Sequence, residues 1–205
     1  MRAEHLEVLV EERSMEMFLR GLLPRLLGDI ATFNVYPSQG KSDLLRNLPA
    51  RLRGYAAWLP RNWRVVVVVD RDRDRCQDLK RTMEQATAEA GLRRRESGAV
   101  GNWQVANRIA VEELEAWYFG DWDAVREVYP KVPGAVTDKT AYRNPDEIAG
   151  GTWETFERLL QRAGYFASGL RKTEVARALG PHLVPTRNRS RSFASFRDVV
   201  LEAVR

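Results

Sequence analysis

Apolar positions recur along the chain in two rhythms. Residues 6–10 form a short, mainly apolar stretch, and residues 32–36 form a second β-prone run. Residues 65–69 are five consecutive valines between Arg64 and Asp70. β-Branched side chains on both sides of so short a run suit a strand buried on both faces, as in a parallel sheet. Residues 105–111, with Ile109 and Val111, read as a fourth strand. Between these runs the apolar spacing changes to three and four. Met15, Phe18, Leu19, Leu22, Leu23 and Leu26 share one helical face behind Ser14, a natural N-cap, and Gly28 is a natural stop. Residues 44–59 and 79–90 read as two further helices, the first amphipathic and rich in arginine, the second closed by Gly91. The string from Glu112 to Tyr118 opens another helix directly behind the fourth strand.

Strands alternating with helices at this spacing predict βαβ units and an α/β fold with a parallel sheet flanked by helices. Past about Gly120 the pattern changes. Residues 123–128, 152–163, 172–179 and 193–204 read as helices, joined by loops rich in Pro, Gly, Asn and Arg. The expected organisation is an α/β domain over 1–120 and a mainly helical extension over 121–205 packed on it. No internal repeat or low-complexity tract interrupts it.

Composition narrows the classes. The 205 residues suffice for one substantial domain with an appendage, and a hydrophobic share of 44% supports a folded core. The formal charge is +5 and the isoelectric point about 9.6. That mild, arginine-heavy excess is compatible with phosphate-bearing partners, because guanidinium groups grip phosphate in a bidentate way. One cysteine, Cys76, excludes an internal disulfide framework and a cysteine-rich zinc site. No apolar run approaches the ~20 residues that span a bilayer. The start, Met1-Arg2-Ala3-Glu4-His5, leads straight into a strand without the apolar core of a signal peptide. The expected location is the cytoplasm of a bacterial-type cell.

The candidate chemistry sits at strand ends. Open α/β sheets bind ligands beyond the carboxyl ends of their strands. There the first strand delivers Glu11 and Glu12, and the valine strand delivers Asp70, Asp72 and Asp74. Carboxylates so arranged repel one another and favour a hard divalent cation. If the two strands are neighbours, their carboxylates converge. Asp74 serves equally well as a cap for the following helix. Behind the fourth strand come Glu112, Glu113 and Glu115. The first two complement a helix dipole, and Glu115 is a candidate ligand one turn deeper. Lys172 opens a predicted helix. Arg187, Arg189 and Arg191 alternate with Asn188, Ser190 and Ser192 in a run that could grip phosphates or be a solvated loop. Lys41, in Gln39-Gly40-Lys41-Ser42, lacks the upstream glycine of a phosphate loop. His5 and His182 are isolated, so nothing supports a histidine nucleophile system or a histidine zinc site. Trp117 and Trp153 are assigned to packing.

Glutamate at the end of a first strand with Asp-x-Asp at the end of a third resembles the Toprim domain of topoisomerases, bacterial primases and OLD-type nucleases. The matching residues are Glu11 or Glu12, with Asp70 and Asp72. The strings Val10-Glu11-Glu12-Arg13-Ser14-Met15-Glu16, Ile109-Ala110-Val111-Glu112-Glu113-Leu114-Glu115-Ala116-Trp117 and Arg189-Ser190-Arg191-Ser192-Phe193 resemble the Toprim-like bacterial family called domain of unknown function 4276. Toprim domains usually carry glycine after the glutamate, where this chain has Glu12. OLD-type nucleases place a second acid four positions on, which is Met15 from Glu11 but Glu16 from Glu12. Glu11 follows the strand directly, and Glu12 with Glu16 is the alternative pair.

The resemblance implies a nuclease that cleaves phosphodiester bonds of nucleic acid, DNA above all. Two Mg²⁺ or Mn²⁺ ions would be held by Glu11 or Glu12, Asp70, Asp72 and Glu115. Lys172 or an arginine of the 187–191 run would stabilise the phosphorane. It further implies an AAA- or ABC-type ATPase partner encoded nearby, in phage defence. The alternative is a non-catalytic Toprim-like subunit that docks on such an ATPase and senses nucleic acid. Primase-like phosphotransfer with the same metals is a further enzymatic reading.

Overall fold

A computed structural model describes residues 2–96 and 102–205. Four strands, β1 (His5–Val10), β2 (Thr32–Pro37), β3 (Trp63–Asp70) and β4 (Val105–Ala110), form one sheet in the order β2-β1-β3-β4. Every pairing is parallel. Val8 stands between Val35 and Val66, and Val10 pairs with Val68, so β1 and β3 run side by side to their carboxyl ends. The valine run is buried because both of its faces are covered. Val66 and Val68 join the core beneath α1 (Arg13–Leu27), while Val65, Val67 and Val69 join a second core beneath α2 (Lys41–Trp58) and α3 (Cys76–Glu89). The expected α/β class with an all-parallel sheet is what the chain adopts.

Downstream of the sheet come α4 (Glu115–Gly120), α5 (Trp122–Val128), α6 (Thr152–Arg162), α7 (Lys172–Leu179) and α8 (Arg191–Ala203). Their apolar faces share one core with α1, β1 and β3, built on aromatic rings. Trp117 is fully buried, stacked on Phe196 at 5.3 Å and edge-on to Phe193 at 5.3 Å. It is a packing residue, as read from the sequence. The helices α1 and α7 cross through glycine. A Cβ on Gly180 would lie 2.4 Å from the carbonyl oxygen of Phe18, and one on Gly21 would lie 2.7 Å from Cδ of Pro181.

Three local expectations need correction. Ser14 lies inside α1, whose N-cap is Glu12; its hydroxyl donates to the Glu12 carboxylate instead of to a helix amide. The helix after β4 begins at Glu115, not at Glu112; Val111 and Glu112 form a bend and Glu113 lies in irregular chain between it and the helix. Glu113 is drawn away by a distant element, since its Oε2 accepts from Trp153 N at 2.9 Å and from Thr152 Oγ1 at 3.0 Å at the start of α6. Asp74 does not cap α3, because the N-cap residue there is Arg75. No helix among the described residues is long and apolar enough to cross a membrane.

Candidate functional site

The parallel order delivers the ends of β1, β3 and β4 to one edge. Glu11 follows β1, and its Oε2 accepts from the backbone N–H of Asp70 at 3.2 Å. Asp70 closes β3 opposite Ala110, the last residue of β4. The chain after β3 stays attached to that edge, with Arg71 N donating to Ala110 O and Asp72 N to Glu112 O, both at 2.8 Å. Asp72 takes a left-handed conformation, φ 49°, which aspartate tolerates better than most residues.

Burial makes these carboxylates unusual. Asp70 is 7% exposed and its Oδ1 has no hydrogen-bond partner. Burial, then the nearby Glu11 and Glu115, hold its carboxyl well above the ordinary range. Burial also pushes Glu11 up to about 7, against the Asp70 amide. Glu115, 2% exposed at the start of α4, is pushed by burial to about 7, against the attraction of Lys172. Charges without solvent favour the protonated form unless a cation compensates. Lys172, at the start of α7, faces the same group. Burial lowers its pKa, but Glu115, Glu12, Glu113 and Asp70 outweigh that and leave it raised. Its ammonium stands 4.5 Å from the ring centroid of Trp153. Trp153, assigned to packing from the sequence, therefore carries a cation on its face.

Glu12 accepts from Ser14. Glu16, a turn further along α1, is buried, with one oxygen bound to Arg20 Nε at 2.9 Å and the other unpartnered. Asp72 is engaged elsewhere. Lys41 Nζ lies 2.6 Å from its Oδ2 and 2.8 Å from Asp74 Oδ2, and donates to Arg71 O at 3.0 Å. Nothing in the sequence around Lys41 marks it for this site, because its neighbours suggest only an incomplete phosphate loop. The available signal was topological: the loop after β2 must reach the same sheet edge. A cleft of about 530 Å³ opens there, lined by Asp72, Asp74, Glu112, Glu113 and Arg73.

The arginine run divides. Arg187 pairs with buried Asp121 through Nε at 2.5 Å and Nη2 at 3.1 Å, so its guanidinium is a structural pin between the chain ahead of α8 and the start of α5. Arg189 and Arg191 are exposed. The residues between them are buried. Asp146 accepts from Ser190 Oγ at 2.6 Å and Ser192 N at 2.9 Å, and Ser192 Oγ accepts from Trp117 Nε1 at 2.9 Å. The alternation thus fixes the start of α8, with two arginines left facing solvent.

Among the described residues, no three His, Cys, Asp or Glu side chains yet meet at a common metal-ligating point. The donor set nevertheless fits a hard divalent cation. Its atoms are carboxylate oxygens, one is buried without a partner, and burial disfavours ionisation of the carboxyls around it.

The family model described as "Domain of unknown function (DUF4276)" matches residues 10–201. The chain belongs to this family. The DUF4276 match begins at the last residue of β1 and ends inside α8, so it contains every candidate residue from Glu11 to Arg191. No curated protein and no solved structure matches the chain.

Proposed function

We propose that this DUF4276 protein is a Toprim-type nuclease that uses Mg²⁺ or Mn²⁺ to hydrolyse phosphodiester bonds of nucleic acid. The observation that carries the reading is the carboxylate group of half-buried Glu11 and buried Asp70 and Glu115 at the carboxyl edge of the sheet, with the unpartnered Oδ1 of Asp70. Those three side chains would hold the ion, joined by Asp72 once it leaves Lys41. Bound there, the ion would supply Lewis-acid polarisation of a phosphoryl oxygen. Lys172 keeps its proton and holds positive charge beside the carboxylates, where a phosphorane oxygen gains negative charge. Arg189 and Arg191 face solvent and suit phosphates outside the scissile position. The ATPase partner and a role in phage defence belong to the same reading and rest on the Toprim resemblance.

Plasmid and single-stranded oligonucleotide cleavage with Mg²⁺ and with Mn²⁺ tests it. The wild-type chain cuts, and the Asp70→Ala, Asp72→Ala double variant loses at least about a hundredfold in rate, the scale of a lost electrostatic catalytic group. Equal cleavage by both proteins would refute the assignment.

One observation favours a second reading, that of a non-catalytic subunit that docks on an ATPase. Lys41 already neutralises Asp72 and Asp74, two of the acids that line the cleft. Under that reading the purified chain neither cuts nor binds the metal.

A further inference from the structure

A second groove lies at the opposite end of the sheet, where β1 starts at His5 beside Trp63 of β3 and Thr32 of β2. It holds about 490 Å³ between the outer strand β2 and helix α2. Glu7 forms its floor and is 3% exposed. Glu7 Oε1 accepts from Asn34 Nδ2 at 3.0 Å and lies 2.8 Å from His5 Nε2, and Oε2 accepts from the Tyr55 hydroxyl at 2.7 Å. A buried carboxylate satisfied in this way fixes the side chains around it.

The walls are aromatic and open. Trp58 is 54% exposed, an unusual state for so large an apolar ring. Tyr55 lies 5.4 Å from it, and Trp63 meets it edge-on at 5.8 Å. The Arg51 guanidinium stands 4.8 Å from the Tyr36 ring centroid and forms no hydrogen bond or ion pair with the described residues. Gly54 lies between Arg51 and Trp58 on α2. Glycine is unfavourable inside a helix, and a Cβ at Gly54 would meet nothing within 4 Å. Packing therefore does not require a glycine there, while its bare surface keeps the groove open.

We propose that this groove binds a nucleotide, with its base stacked on Trp58 and its phosphate held by Arg51. An exposed indole offers a face on which any base can stack. An unpaired guanidinium offers its planar donor fork to phosphate. The charge of Arg51 disfavours a cationic guest, which the aromatic rings and Glu7 would otherwise suit. A free nucleotide and one unit of a single strand present the same chemistry. The site lies apart from the carboxylate edge and stands whether or not that edge cuts nucleic acid.

The test is equilibrium binding by the full chain in EDTA, so that divalent ions play no part. The probes are AMP, UMP and a labelled short oligothymidylate. Saturable binding is expected, weakened about tenfold in Trp58→Ala and in Arg51→Ala. Gly54→Leu blocks the groove and leaves the thermal midpoint within a few degrees of wild type. Binding of the oligonucleotide alone assigns the groove to a strand, and competition by AMP or UMP assigns it to the free nucleotide. Wild-type affinity in all three folded variants overturns the proposal. So does a wild-type chain that binds no probe, or one that binds tetramethylammonium in preference to them.

Discussion

Glu11 and Glu115 each rise from an ordinary 4.5 to about 7, chiefly through burial, and Asp70 moves in the same direction. A carboxyl whose pKa is higher in the folded chain binds more protons there than in the unfolded chain. Its stabilising effect is present at low pH and is lost as pH rises from about 4.5 to about 7. Without divalent ions, the thermal midpoint should therefore fall between pH 5 and pH 7 and level off above. Asp70→Asn, which removes a buried charge but keeps the shape, should flatten part of that slope and raise the midpoint at pH 8. Thermal melts in EDTA across this range check both, and a midpoint that climbs from pH 5 to pH 7 contradicts the electrostatics described for the edge. Glu7 is a contrast at the same scale. Although burial raises its pKa, hydrogen bonds from Tyr55, Asn34 and His5 outweigh that and leave it lowered. Glu7 lies within β1, Glu11 just past its end, and Asp70 and Glu115 beside that end. Full hydrogen-bonding keeps Glu7 ionised, and incomplete partnering leaves the others poised for a cation.

At the scale of elements, α1 and α7 approach closely because Gly180 lets the backbone of Phe18 pass. Gly180→Ala places a methyl group against a carbonyl oxygen that cannot swing away. Overpacking of this kind costs about 1–3 kcal/mol, and for a chain of this size each kcal/mol moves the midpoint by about 2–4 °C. Calorimetry should show a drop of a few degrees, whereas Gly54→Ala on α2 should show none. How far the elements were legible follows from how local their signals are. The valine run announced a strand covered on both faces, and the three-and-four spacing of Phe18, Leu19 and Leu22 announced α1. The start of α4 was misread because Glu113 is bound by α6, some forty residues later in the chain. The arginine run was hard to read for a similar reason. Its meaning lies in Asn188, Ser190 and Ser192, whose partners Trp117 and Asp146 are far away in sequence. Lys41 was missed because only strand order brings it to Asp72.

At the scale of the whole molecule, parallel strands and their crossovers gather acids from three separate segments onto one edge, and the C-terminal helices return Lys172 to face them. The arrangement sets these acids against two lysine ammonium groups, Lys172 beside Glu115 and Asp70 and Lys41 on Asp72 and Asp74. In the proposed nuclease a hard divalent cation completes it. The most direct measurement is a Mn²⁺ titration of the chelator-stripped chain at pH 8, followed by thermal midpoint, for wild type and Asp70→Asn. A metal site there gives a saturable rise in the wild type of about 5 °C or more at a hundredfold excess over Kd, and none in the variant. An unchanged wild-type midpoint, or an equal rise in both proteins, would contradict it.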